Sequence, residues 1–263
     1  MQLNWTHFSY ACVLKLVHHF NPLYKQGRYC RIMNYENIVI GRFIDRQNRF
    51  IARVFVGDKI ETVHVKNTGR CRELLLPDCR VYLEKSNNPN RKTGYTLIAV
   101  DKVLSDGKVL TVNIDSTAPN ALIEEWLPIS GVFKEPFTIK REVNYGKSRF
   151  DFCITDENGP VYIEVKGVTL ENQGVVLFPD APSQRAVKHL NALVECIKCG
   201  FRAYVIFVIQ LENAEYFTPN VKTHPAFAEA LRTAKINGVN ILALECSVYP
   251  DKLTISKQVD IKL

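Results

Sequence analysis

Long apolar runs are missing from this 263-residue chain. The longest, AYVIFVIQL (Ala203–Leu211), is less than half of the roughly twenty residues that a membrane helix needs, so no membrane partner is expected. A disulfide framework is missing too. Eight cysteines lie at irregular spacings, which suits reduced thiols and a cytoplasmic location. Cys196 and Cys199 form a CxxC near the end of an expected helix, but no second pair accompanies them. A structural reading therefore ranks above zinc or redox chemistry. Internal repeats and low-complexity tracts are absent. Methionine is scarce, at Met1 and Met33 alone.

Acidic residues are absent from residues 1–32, which contain Lys15, Lys25, Arg28 and Arg31. The net charge of +7 therefore overstates the case for a polyanionic partner. Beyond that segment 30 basic residues face 27 acidic ones, so local patches must carry the argument. MNYENIVIGRF, starting at Met33, reads like a natural beginning. Residues 1–32 are thus expected to be an extension outside the fold, from a mis-assigned start. A signal peptide is the rival, but FSYACVLKLVHHF is interrupted by Lys15 and lacks a basic leader and a small-residue cleavage site.

What is present is an ordinary globular composition, 46% apolar and 23% charged, with core enough for two modest domains. Residues 33–115 read as short strands separated by turns. RFIARVFV (Arg49–Val56) alternates, with Phe50, Ala52, Val54 and Val56 on one face and Arg49, Ile51, Arg53 and Phe55 on the other. Five or six such strands indicate a small antiparallel barrel of oligonucleotide-binding (OB) type. STAPNALIEEWLP (Ser116–Pro128) supplies a cap, a proline and a short helix, expected as a hinge. From there to residue 263 the pattern is three strands, a helix, the apolar strand RAYVIFVIQ, a helix over Pro225–Ile236 and a strand over Val239–Leu244. That describes a mixed sheet covered by helices. The fold class is α+β or α/β with two domains.

A lone acid-x-Lys triplet has little specificity. With 27 acidic residues in the chain about two are expected by chance, and three occur. Asp106-Gly107-Lys108 sits in a turn and Asp260-Ile261-Lys262 at the C-terminus. Glu164-Val165-Lys166 lies inside the apolar strand VYIEVKGVTL and follows Asp151 after one strand end and one turn. Strand periodicity puts Arg149, Asp151 and Cys153 on one face, and Tyr162, Glu164 and Lys166 on one face of the next strand. If the strands pair, Asp151 stands beside Glu164. Two close carboxylates repel unless a cation separates them, and their oxygens suit Mg2+ or Mn2+. Lys166 can then orient a water and neutralise charge on a phosphate. A plain Glu164–Lys166 ion pair is the structural alternative.

The segments KREVNYGKSRFDF, YIEVKGVTL and GVVLFPDAPSQRAVKHLNAL, with NRFIARV and HVKNTGRCRELLLP, resemble the sugar fermentation stimulation protein family from Met33 to the C-terminus. The resemblance implies an OB-like barrel joined to a domain of PD-(D/E)xK nuclease (restriction-endonuclease-like) type. It also implies DNA binding and an association with expression of sugar-utilisation genes. Asp151 would be the second-motif acid, with Glu164 and Lys166 the ExK pair. The first-motif acid would be Glu125, with Glu124 as an alternative, and Glu142 is expected to face the same pocket. His224 stands where an aspartate is more usual.

Arg49 and Arg53 beside Ile51 and Phe55 suit a single strand, whose phosphates take the charge while its bases stack. Arg70 and Arg72 lie by a glycine turn, and Arg91 and Lys92 on a loop, as further candidate contacts. On the expected helix of SQRAVKHL, capped by Ser183, Gln184, Arg185 and Lys188 face away from the apolar positions. His189 reads more readily as a surface histidine than as a catalytic one. The expected partner is DNA, single- or double-stranded, with RNA as an alternative. The favoured function is metal-dependent phosphodiester cleavage, and the rival is a DNA-binding regulator that does not cut. A carbohydrate enzyme is disfavoured, since no aromatic sugar platform surrounds the carboxylates.

Overall fold

The computed structural model describes residues 33–263 except Thr68, so the expectations for residues 1–32 lie outside the described residues. A two-residue strand, β1 (Met33–Asn34), enters the fold first. The barrel follows: β2 (Ile38–Arg46), β3 (Ile51–Val56), β4 (Lys59–Val65), β5 (Arg80–Lys85), β6 (Tyr95–Val103) and β7 (Val109–Asn113). They lie in the order β4-β3-β2-β5-β6-β7, and pairing of β4 with β6 closes five of them into a barrel. Alternation drives this closure. Ala52, Val54, Val63, Val65, Val81 and Leu83 are fully buried and fill the interior. The expectation for Phe50 is corrected. Strand β3 starts two residues later, at Ile51, and Phe50 stands 52% exposed at the hairpin tip.

The second domain begins with α1 (Ala118–Trp126) and three antiparallel strands, β8 (Thr138–Tyr145), β9 (Ser148–Asp156) and β10 (Gly159–Val168). After β11 (Leu170–Asn172) and β12 (Val175–Phe178) come α2 (Gln184–Lys198), β13 (Arg202–Ile209), β14 (Tyr216–Pro219) and α3 (Pro225–Ile236). Strands β15 (Asn240–Tyr249), β16 (Lys252–Gln258) and β17 (Asp260–Ile261) complete the chain. The main sheet is mixed, in the order β1-β16-β15-β13-β10-β9-β8, with β10, β13 and β15 parallel. Strand β13 is buried on both faces. Ile206 and Val208 pack with Leu122 and Ile123 of α1, while Val205 and Phe207 pack with α2 and α3.

Two features depart from the expected pattern. The last core strand runs on to Tyr249 and returns as β16, and a second sheet forms in the order β11-β12-β14-β17. Its strands are two to four residues long, too short to show a period in sequence.

The expected hinge is tied down on both sides. Thr117 makes no side-chain cap of its own. Instead buried Asp115 accepts from the Thr117 N–H at 2.9 Å and its hydroxyl at 2.7 Å, and pairs with Lys66 at 3.1 Å. Gln210, at the end of β13, donates to Asn113 and to the Asp115 carbonyl. Lys102 of the barrel pairs with Glu171 of β11 at 2.5 Å. Six described cysteines are free, with Cys196 buried and Cys199 exposed. Among the described residues no helix is long and apolar enough to cross a membrane.

Candidate functional site

Strands β9 and β10 pair antiparallel from Gly159↔Asp156 to Ile163↔Phe152, and there the ladder stops. Between β8 and β9 the run of partners from Thr138↔Thr155 to Tyr145↔Ser148 skips one position, Glu142 opposite Asp151. Glu142 has a left-handed backbone there, φ +52°. The break changes which way the chain faces. Phe152 packs in the cluster of α1, but Phe150 packs with Tyr145, Tyr162 and His189 on the α2 side. The strict alternation expected through Arg149, Asp151 and Cys153 therefore fails at Asp151.

Released from the ladder, the Asp151 carboxylate takes over two donors. It accepts from the Val165 N–H at 2.8 Å and from the Asn120 side chain at 2.9 Å. Burial and the charge of Glu164 nevertheless push its carboxyl above the usual aspartate range, against those hydrogen bonds and Lys166. The two carboxylates thus share one electrostatic environment.

Glu164 is 3% exposed. Its Oε1 is shared by the Lys166 ammonium and by His189 Nδ1, the latter at 2.5 Å. Burial alone would raise its carboxyl, but the His189 hydrogen bond and the Lys166 charge outweigh burial and hold it low. Its Oε2 is buried and meets no protein donor. Such an oxygen is costly unless something fills its coordination.

His189 is not at the surface, as its place on a polar helix stripe suggested. It is 5% exposed, with its ring against Phe150. Asn120 was also missed, although it stands one turn before Glu124 on α1. Glu124 pairs with Arg141 at 2.9 Å, Glu142 with Arg149 at 2.8 Å, and Glu125 is half-buried on α1. The structure therefore brings together Asp151, Glu164 and Lys166, adding His189 and Asn120. Among the described residues no cluster of three or more His, Cys, Asp or Glu side chains is poised for a metal. A cation here would take two carboxylates, with backbone or solvent oxygens completing its shell.

Two clefts of about 510 Å³ each carry most of the expected basic contacts. In the first, at the barrel hairpin, Arg49, Arg70 and Arg72 join Arg46, whose guanidinium donates to the carbonyls of Arg49, Asn67, Gly69 and Arg70. In the second, Gln184, Arg185 and Lys188 of α2 join Lys147 from the β8–β9 turn and Arg149 at the start of β9, with His189 as one wall. Two expected contacts are engaged elsewhere. Arg53 pairs with Asp45 through two nitrogens, and Arg91 donates to Thr96 at 2.7 Å. Lys92 is exposed on its loop. His224 is buried, and its Nδ1 accepts from the Ser183 N–H at 3.3 Å.

A closed five-stranded barrel fixed to a mixed sheet covered by helices defines a two-domain class: an OB domain followed by a mixed α/β domain. Family models agree. One described as the SfsA N-terminal OB domain matches residues 44–110, and one described as the Sugar fermentation stimulation protein RE domain matches residues 117–252. The chain belongs to the sugar fermentation stimulation protein family. It is 49% identical over 231 residues to a homolog from Clostridium beijerinckii, covering 88% of this chain and 100% of that one. A homolog from Desulfitobacterium hafniense is 48% identical over 88% of this chain and 99% of its own. Among solved structures, Pyrococcus furiosus SfsA in complex with Ca2+ is similar with a TM-score of 0.78 and 28% identity, over 88% of this chain and 98% of that one.

Proposed function

We propose that this chain cleaves phosphodiester bonds in nucleic acid, with Asp151 and Glu164 holding a divalent cation of the Mg2+ or Mn2+ type. The observation that carries this reading is Glu164. Its Oε1 is held by Lys166 and His189, and its buried Oε2 lacks a protein partner beside a second carboxylate. The P. furiosus relative was solved in complex with Ca2+, which supports a divalent cation as this chain's ligand. When bound, such a cation supplies Lewis-acid stabilisation of charge on a phosphate. The chain's own residues do the rest. Asn120 and the Val165 N–H orient Asp151, and His189 fixes the rotamer of Glu164. Lys166 holds its ammonium where negative charge develops and where an attacking water can be oriented. The basic clefts hold the substrate backbone.

A second reading, a DNA-binding regulator of sugar-utilisation genes that does not cut, draws on the absence of a third acidic or histidine ligand among the described residues. One experiment separates the two. Purified protein is incubated with single- and double-stranded DNA and RNA in Mg2+, Mn2+ or EDTA. Cleavage that needs metal and is lost in Glu164→Gln supports the enzyme. No cleavage of any substrate, with binding unchanged in EDTA, supports the regulator and ends the enzymatic reading.

A further inference from the structure

Charge outside residues 1–32 is nearly balanced, yet it is unevenly placed. The two clefts together are lined by eight basic side chains and no acidic one. They also adjoin. Ala181 and Pro182 line the first, Gln184 and Arg185 the second, so a single residue, Ser183, separates them along the chain. Pro182 and Gln184 are at most ~7 Å apart even in a fully extended chain. The attraction does not rest on the α2 terminus, because the Ser183 hydroxyl already accepts from the Ala186 N–H. It rests on side chains from both domains.

Two further features mark the ends of this surface. At the barrel end Arg46 pins its hairpin to the loop that carries Arg70 and Arg72, and Asp180 accepts from the Arg70 N–H at 3.1 Å, so the backbone of that loop is held before any ligand arrives. Next to Arg49 in sequence, at the hairpin tip, Phe50 is 52% exposed, although it is not among the residues that line the cleft. At the other end the cleft reaches His189 and, through it, Glu164. Basic groups in series, next to an uncovered aromatic ring, match a polynucleotide whose bases are free to stack. A duplex keeps its bases inside.

We propose that the two clefts form one groove that binds a single unpaired strand of nucleic acid across the domain junction, with phosphates on the arginines and lysines and a base on Phe50. This rests on the reading of nucleic acid as substrate, but its test needs neither metal nor cleavage. Full-length protein in EDTA is titrated by fluorescence anisotropy with labelled oligothymidylates of increasing length and with a hairpin duplex. Affinity should rise with length until the groove is spanned and then level off, with the duplex at least about tenfold weaker. Arg70→Ala with Arg72→Ala, and Arg185→Ala with Lys188→Ala, should each weaken binding roughly tenfold and lower the salt slope by about 1.4. Phe50→Ala should weaken single-strand binding roughly tenfold while leaving the slope unchanged. All five side chains are exposed, and thermal melts check that each variant is folded. Equal or tighter duplex binding, a neutral Phe50→Ala, or a neutral result from either double variant overturns the groove. Binding as described without cleavage would leave the groove and end the nuclease reading. Metal-dependent cleavage without these binding results would end the groove alone.

Discussion

Two buried lysine–glutamate pairs, one at the domain junction and one on β10, use the same chemistry to different ends. At the junction Glu171 spends both oxygens: one on Lys102 at 2.5 Å, the other on the Gly174 N–H at 2.7 Å. On β10 Glu164 crowds Lys166 and His189 onto one oxygen and leaves the other without a protein donor. A buried carboxylate is tolerated when its lone pairs are satisfied. The first pair meets that condition from within the fold. The second leaves one oxygen open, as the proposed cation site requires. The unpartnered oxygen alone does not set Glu164 apart, since Asp156 keeps one as well; its position beside Asp151 does.

The sharpest break in the comparison is Lys166→Met, which keeps the side-chain length and removes the charge. Cleavage should fall roughly 10²–10⁴-fold in single-turnover assays, and a decrease under threefold would place Lys166 among purely structural lysines. Next comes Glu171→Ala, which strands Lys102. It should cost about 3 kcal/mol of stability in denaturant melts, with cleavage below the transition kept within a few-fold; a loss of cleavage in the folded protein would erase the distinction between the pairs. His189→Ala should weaken divalent-cation binding by roughly 10–100-fold, read by calorimetry, with His189→Gln restoring part of it.

A smaller effect has the opposite sign. The folded state holds the Asp151 carboxyl above its ordinary range, so ionising it at neutral pH costs folding free energy that the unfolded chain does not bear. Asp151→Asn removes that cost and should stabilise the protein by about 1 kcal/mol in EDTA at neutral pH. The gain should shrink as pH falls through the raised value and vanish below the ordinary aspartate value, where both states are protonated. Thermal melts across that range check it, and a gain that grows in acid would reverse the assignment. Smallest of all, Arg53→Ala should leave the salt slope of nucleic-acid binding unchanged, since Asp45 already holds that guanidinium.

Most of the architecture was legible because it follows periods. Strands β2 to β10 alternate or run apolar, and α3 ends where its pattern ends. The Glu164–Lys166 pair stood out because charge inside an apolar strand demands an account. What stayed hidden depends on partners distant in sequence. The face of Asp151 is set by a missing rung opposite Glu142, which period-two reasoning cannot see. Arg49 and Arg53 looked equivalent until a bulge in the β2–β3 register, between Phe43 and Asp45, put Asp45 opposite Arg53. His189 lies on a polar stripe of α2 with the exposed Arg185, yet at His189 itself the helix is packed against the sheet, beside Phe150 and Glu164, so its helical position misled. The short sheet β11-β12-β14-β17 had too few residues to declare itself.

Gly167 directly follows Lys166, and a Cβ there would lie 2.5 Å from Gln210 Oε1 and 2.9 Å from Pro119. The same Gln210 grips Asn113 and Asp115 at the end of the barrel. The step after Lys166, the start of α1 and the barrel exit therefore meet around Gln210. A side chain at Gly167 would thus disturb the barrel junction as well as the strand that carries Glu164 and Lys166.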